Sequence, residues 1–484
     1  MTVRKFGLLS SSLVYGLGGA AQRCISLLLL PLFTRYLTPT DYGVVGLLAV
    51  LPALLLPIFS LGLTASISVC YFSLKYAEKR QSVIQTSLWI TYYSVAIMMM
   101  LTFIDLDWIT QLSTSNLEYR SHTLVAIITA AISIICLPLQ LELQFSGRPL
   151  EFVISSLVSA IVASLCSVIL VVWFNLSSLG ILTGSMLGQI SLWILLLLRR
   201  HTKSPDIKGS ANFQIAKELL KHGLPLLPSF MFLFLLQNGV RWSLESKHGV
   251  EAVGLYAIGT NFGSVLTLIT SGFVTAWMPW AMQLSDQWSD ARHMVAKRLT
   301  QYVICVGFLV LLFFCFAQPV LYILTPQVYF DAWTVVGLAA TANFMISLFS
   351  LVLPPIYMAG KVNLVLISQG VAAVVAIVSA HFLLDFGIFG ASLAVALGTF
   401  TMIAVQLIIN KKLVDVPTIP LEFKKIFFIG LIFISSCGIT FFLKIEHIGK
   451  FAIASLLLIL LSGFLMFTFF PDKKSLYKKF QKNI

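Results

Sequence analysis

The chain has 484 residues, of which 58% are apolar and 11% charged, where a soluble domain carries about 25% charged residues. That balance excludes a soluble enzyme, and fourteen spans of about 20 residues each would take more than half of the length. The net charge of +13, from 32 Lys and Arg against 19 Asp and Glu, sits in short turns between apolar runs. It therefore reports membrane orientation before it reports a nucleic-acid partner.

Apolar runs bounded by turn and charge signals predict helices near 11–33, 43–68, 83–104, 121–144, 151–174, 179–198, 223–244, 252–280, 299–318, 332–358, 364–384, 388–409, 426–443 and 451–470. Arg4 and Lys5 precede the first run, which lacks a small-residue cleavage site at the usual distance and reads as a retained span. The longest connection is about Arg199 to His222.

Basic residues collect in alternate turns. Arg4 and Lys5, Lys75 to Arg80, Arg148, Arg199 to Lys221, Arg292 to Arg298, Lys361, Lys411 to Lys425 and Lys473 to Lys482 fall on one side, while Arg35, Arg120, Lys247, Lys444 and Lys450 fall on the other. This bias predicts cytoplasmic N- and C-termini and an even number of spans.

The chain repeats at a period near 211 residues. Asp41-Tyr42-Gly43-Val44 corresponds to Ala252-Val253-Gly254-Leu255, Gly147-Arg148 to Gly360-Lys361, and Gly180 and Gly188 to Gly390 and Gly398. Six spans per repeat predict two bundles related by an axis along the membrane normal, with a path between them. The fold class is an all-α polytopic membrane protein of about 14 helices: a bundle over 1–198, a cytoplasmic linker over 199–222, a second bundle over 223–410, two appended helices over 411–470 and a basic tail over 471–484.

No catalytic constellation, metal set or cofactor motif presents itself. The seven histidines are scattered, the seven cysteines lie in apolar runs without CxxC spacing, and there is no GxxxxGK[ST] loop for ATP. The cysteines read as small buried apolar residues. Asn175-Leu176-Ser177 fits a glycosylation sequon, too short a match to use.

Polar residues inside spans are the informative signal, because an ionisable group there is costly unless it faces protein or water. On the first helix Ser12, Tyr15, Gly19, Gln22 and Ser26 share one face, with Arg23 beside them. On the seventh, Gln237, Asn238 and Arg241 share a face. The eighth carries Tyr256, Thr260, Ser264, Thr267 and Ser271, with Asn261 adjoining; such hydroxyl stripes also simply hold helices together.

Acids are scarce: Glu142 is clearly inside a span, near its end, and Asp41 at an interface suits a helix N-cap as well as an ion ligand. Deep guanidinium without deep carboxylate suits a phosphate or diphosphate, since Arg offers a rigid bidentate fork. Pro31, Pro52, Pro57, Pro138, Pro225, Pro228, Pro354 and Pro355 fall in spans and permit bending. Trp277, Trp280 and Trp288 read as an interfacial belt.

Leu29-Leu30-Pro31-Leu32, Thr34 through Gly43 and Ser60-Leu61-Gly62-Leu63 resemble the opening of bacterial polysaccharide flippases of the multidrug/oligosaccharidyl-lipid/polysaccharide exporter superfamily. The resemblance extends through the Gly147-Arg148 and Gly360-Lys361 turns to Gly387-Ile388-Phe389-Gly390-Ala391. It implies two six-helix bundles around a cationic cavity, moving an undecaprenyl-diphosphate-linked oligosaccharide between leaflets of the bacterial inner membrane by alternating access on an ion gradient.

On this reading Arg23, Arg241 and Arg35 attract the diphosphate, Gln22, Gln237, Asn238 and Asn261 bond sugar or phosphate oxygens, and Glu142 couples a proton or sodium ion. Expected partners are the lipid-linked oligosaccharide and polysaccharide polymerase and chain-length machinery, with no nucleic acid, and the protein is expected to be a monomer. Many relatives have twelve spans, so the last pair is a departure. A peptidoglycan-precursor flippase of the same superfamily, a cation-coupled multidrug antiporter and a non-transporting scaffold for glycan synthesis are the alternatives.

Overall fold

The computed structural model describes residues 8–72, 79–203, 210–284 and 288–414, together with 416 and 419. Each predicted span between 11 and 409 falls on a helix or a run of helix segments. The predicted spans over 426–443 and 451–470, the tail and Cys437 lie outside the described residues.

The first half consists of α1 (Leu8–Tyr36), a broken crossing of α2 (Pro39–Leu48), α3 (Val50–Phe59) and α4 (Leu63–Phe72), α5 (Arg80–Ile104), α6 (Leu106–Thr114), α7 (Arg120–Phe145), α8 (Pro149–Val168) and α9 (Ser177–Lys203). The short α6 runs along one end of the bundle, capped by the Asp105 carboxylate and paired to α7 through Arg120 and Asp107 at 3.1 Å. The predicted linker is itself partly helical: α9 extends into it, and α10 (Phe213–Gly223) follows.

The second half begins with α11 (Leu227–Gly263), which doubles back at Gly249, where φ is 80°. It continues with α12 (Leu266–Met282), α13 (Trp288–Leu324), α14 (Trp333–Leu351), α15 (Pro354–Met358), α16 (Val365–Leu383) and α17 (Gly387–Lys412). Alternating crossings bring Arg80, Arg148, Arg199, Arg200, Arg292 and Lys361 to one end, the basic face. Arg35, Arg120 and Lys247 lie at the opposite face.

The sequence repeat is a structural repeat. Gly147 and Gly360 end α7 and α15 at φ 68° and 67°, a left-handed conformation that only glycine adopts without strain. The following amides, of Arg148 and Lys361, each reach back 3.1 Å to Leu143 and Ile356, so both turns are the same helix-ending motif. A Cβ on Gly188 would stand 2.9 Å from the Ser159 carbonyl, and one on Gly398 2.9 Å from that of Ala372. Helices α8 and α9 therefore pack as α16 and α17 do.

Lipid gives no hydrophobic drive between helices, so close backbone approach and satisfied polar groups hold such a bundle. Leu48, Ile127 and Ile134 centre the first half and Leu236, Ala376 and Met402 the second. Carbonyls freed at helix breaks must find donors in protein. The Phe59 carbonyl, at the α3–α4 break, accepts from the Ser94 hydroxyl at 2.6 Å. Pro355 has no N–H to return to Leu351, whose carbonyl accepts instead from Trp277 Nε1 at 2.9 Å, while Asn410 donates to Val352 at 2.7 Å.

Three expectations change here. Trp277 and Trp288 are buried in the second half, because that indole serves the α14–α15 break, and form no interfacial belt. Thr38, not Asp41, is the N-cap of α2; Asp41 is the third helical residue and its carboxylate returns to the Thr38 amide at 3.0 Å, closing a capping box. Cys70 and Cys136 are buried as expected, but Cys24 and Cys305 are exposed, since a small apolar residue is equally at home on a lipid-facing side.

Candidate functional site between the two halves

The two copies of the repeated motif face one another at the opposite face. A Cβ on Gly43 would stand 1.9 Å from the Val250 carbonyl, and one on Gly254 1.9 Å from the Pro39 carbonyl. The two contacts are the same contact exchanged between halves, so the pseudo-two-fold axis passes between α2 and the second limb of α11. Only hydrogen fits at either position, which lets the backbones touch. Tyr329 closes the same face from the loop before α14: its ring meets Tyr42 edge-on at 5.8 Å and its hydroxyl donates to the Leu37 carbonyl at 2.6 Å.

Arg241 lies about 10 Å below that face, seven residues from the end of its limb at 1.5 Å per residue. Its Nη1 donates to the Gly46 carbonyl at 2.9 Å, crossing from the second half to the first. Its Nε is buried and has no partner among the described residues. Leu47, Val253 and Tyr256 surround this level with apolar packing. Arg241 thus sits inside the seam between the halves and fastens it.

Arg23 lies about 20 Å below the same face, thirteen residues before the end of α1. Its Nη1 donates to the Ser264 carbonyl at 3.2 Å. The helix breaks there: the Leu268 amide, the regular helical partner of that carbonyl, bonds to Val265 instead. The Thr267 amide and hydroxyl take it up at 2.9 and 2.6 Å. Arg23 itself is exposed, as are Ser26 on α1, Gln237 and Asn261 on α11, and Ser271 and Thr275 on α12. A guanidinium and a polar face at this depth are incompatible with acyl chains, so we read these exposed residues as the wall of a cleft between the halves.

The exposed face continues toward the basic end. Gly19 on α1 and Gly272 on α12 are exposed, and a Cβ on either would meet nothing within 4 Å. Gly43 and Gly254, by contrast, are in backbone contact across the two halves.

Of the remaining candidates, Gln22 and Asn238 are half-buried, the latter bonded to Phe234 in its own helix at 3.5 Å. Arg35 is exposed at the opposite face, about 18 Å along α1 from Arg23. Glu142 lies away from the cleft, near the basic end of α7, with Arg200 Nε at 3.9 Å; Arg200 also donates to Gln85 at 2.8 Å. No group of three or more His, Cys, Asp or Glu residues that could hold a metal occurs among the described residues. Sequence reasoning missed the Ser264 and Gly46 carbonyls, since any residue supplies a carbonyl; the Gly43–Gly254 correspondence was the signal for the seam.

A family profile described as "Polysaccharide biosynthesis protein" matches residues 8–285. No curated protein matches the chain. Among solved structures, a lipid II flippase, MurJ, in an inward closed conformation superposes with a TM-score of 0.70 at 13% identity, covering 94% of this chain and 99% of that one. An inward-facing multidrug resistance MATE transporter of the MOP superfamily gives 0.58 at 14% identity over 80% of this chain and 94% of that one. A MOP superfamily transporter from Pyrococcus furiosus gives 0.58 at 14% identity over 85% and 98%. The fold is therefore the one shared by these multi-pass membrane proteins.

Proposed function

The chain belongs to the polysaccharide biosynthesis protein family, and from that premise we propose that it is a flippase for undecaprenyl-diphosphate-linked oligosaccharide. In this reading the basic face is cytoplasmic, by the positive-inside rule, and the protein lies in the bacterial inner membrane. The cleft admits the lipid-linked sugar from that side, and the seam at Gly43, Gly254 and Tyr329 is the closed periplasmic gate.

The observation that carries the proposal is Arg23: an exposed guanidinium at mid-depth, holding one neutral carbonyl across the two halves. A phosphate competes well for such a group, because a charge-assisted bidentate contact is about twice as strong as a bond to a neutral acceptor. Binding the diphosphate would then release the α1–α12 contact. Arg241 and Arg35, at about 10 Å and at the level of the far face, continue the same positive charge along the route. Gln22, Gln237, Asn238 and Asn261 contribute neutral hydrogen bonds suited to sugar hydroxyls or phosphate oxygens.

Glu142 is the proposed coupling carboxylate. A proton or sodium ion that neutralised it would loosen its pair with Arg200 between α7 and α9. Glu142→Gln is expected to leave basal flipping intact and remove its stimulation by the ion gradient; unchanged stimulation would exclude Glu142 from coupling.

The test of the function is the leaflet distribution of diphosphate-linked oligosaccharide in cells with and without the protein, read with a membrane-impermeant glycan probe. Depletion should trap the glycan on the cytoplasmic side, with rescue by the intact chain and not by Arg23→Ala at equal membrane level. An unchanged distribution in cells lacking any other flippase would overturn the proposal.

A further inference from the structure

Helix α10 runs between the halves on the basic face, and two contacts fix its depth. At its start the Asn212 amide donates to the Thr86 hydroxyl at 3.1 Å. Thr86 lies eighteen residues, or about 27 Å, from the far end of α5 at Ile104, close to the hydrocarbon thickness of about 30 Å. At its far end Gly223 packs on the Leu61–Gly62 break, where a Cβ on Gly62 would stand 2.2 Å from the Gly223 carbonyl. Both ends therefore sit at the membrane boundary, and the helix lies in its plane.

The two faces of α10 divide sharply. Ile215 and Leu219 are buried in the core beside α4 and α5. Phe213, Lys217 and Lys221 recur every four residues on the outward face, all exposed; Phe213 is 85% exposed. Gln214 and His222 flank this stripe, Glu218 lies half-buried at its margin, and Arg199 and Arg200 at the end of α9 are engaged with Glu151 and Gln85. An exposed phenylalanine beside two exposed ammonium groups has the chemistry of an interfacial anchor.

We propose that the outward face of α10 docks on anionic phospholipid, with the Phe213 ring among the acyl chains and Lys217 and Lys221 on headgroup phosphates. The helix thereby ties the connection between the two halves to the membrane surface. Charge complementarity selects an anionic lipid over a zwitterionic one, and each lysine near such a surface contributes about fivefold in partitioning.

The full-length protein, purified with bound lipid, provides the test. Native mass spectrometry should show retained phosphatidylglycerol exceeding phosphatidylcholine, with Lys217→Gln/Lys221→Gln losing that preference on the order of twentyfold and Lys217→Arg/Lys221→Arg keeping it. In a background where Cys24 and Cys305 are replaced by Ala, Phe213→Cys in phosphatidylglycerol vesicles should resist a water-soluble maleimide and react once detergent is added. Equal phosphatidylglycerol retention in the Gln variant would overturn the headgroup contact. Rapid maleimide labelling in intact vesicles, with the basic face outside, would overturn the membrane docking and point to an aqueous partner.

Discussion

Arg23 and Arg241 show how position decides what one side chain does. Each donates a single bond to a backbone carbonyl of the other half, at 3.2 and 2.9 Å, but one is exposed in the cleft and the other lies in a packed seam. Arg23→Lys keeps the charge and loses the fork, so it is expected to cut flipping at least tenfold while Arg23→Ala abolishes it. Initial rates in vesicles at equal protein level check this, and equal rates for Lys and Arg would remove bidentate recognition from the account. Arg241→Met removes the bond to Gly46 and the buried unpaired Nε together. A hydrogen bond from a charged group contributes about 1.5–3 kcal/mol, and loss of the closed seam should raise the reactivity of a cysteine placed at Leu47, buried in that seam, roughly tenfold. Both arginines were legible in the sequence as misplaced charges. Their partners were not, because a carbonyl carries no signature.

At the scale of elements, the breaks and glycine contacts do the positioning. At one break the Ser264 carbonyl accepts from Thr267 and, across the halves, from Arg23, whereas those of Phe59 and Leu351 accept from the buried donors Ser94 and Trp277. Gly254→Leu must push α2 and α11 apart, since its Cβ alone would stand 1.9 Å from the Pro39 carbonyl. Overpacking of that kind typically costs 1–3 kcal/mol or more (about that range in packed cores), so a lower thermal midpoint and loss of flipping are expected. Gly19→Leu, in open space, should leave the midpoint unchanged. Equal midpoints for the two variants would contradict the assignment of tight and open ends. Helix positions and the repeat were readable because apolar runs and glycine turns recur at a nearly constant offset. Helix α10 was not, because an eleven-residue amphipathic helix in a basic connection has neither the length nor the apolar content of a span. Asp41 was misplaced by one role, since a capping box and a simple cap differ only in which residue begins the helix.

For the whole molecule the two halves are a structural repeat in backbone contact at the far face through Gly43 and Gly254. The proposed transport requires α2 and α11 to separate there. A Cβ on Gly46 would stand 3.2 Å from that of Ala257, close to the mean Cβ separation of about 3.8 Å in disulfides. Gly46→Cys/Ala257→Cys, in a chain with Cys24 and Cys305 replaced, should therefore crosslink the halves on mild oxidation. The decisive measurement is flipping of diphosphate-linked oligosaccharide in proteoliposomes carrying this variant. Oxidation should stop flipping and reduction restore it, because a chain held shut at the far face cannot release its lipid there. Full flipping by the oxidised, crosslinked protein would contradict the account.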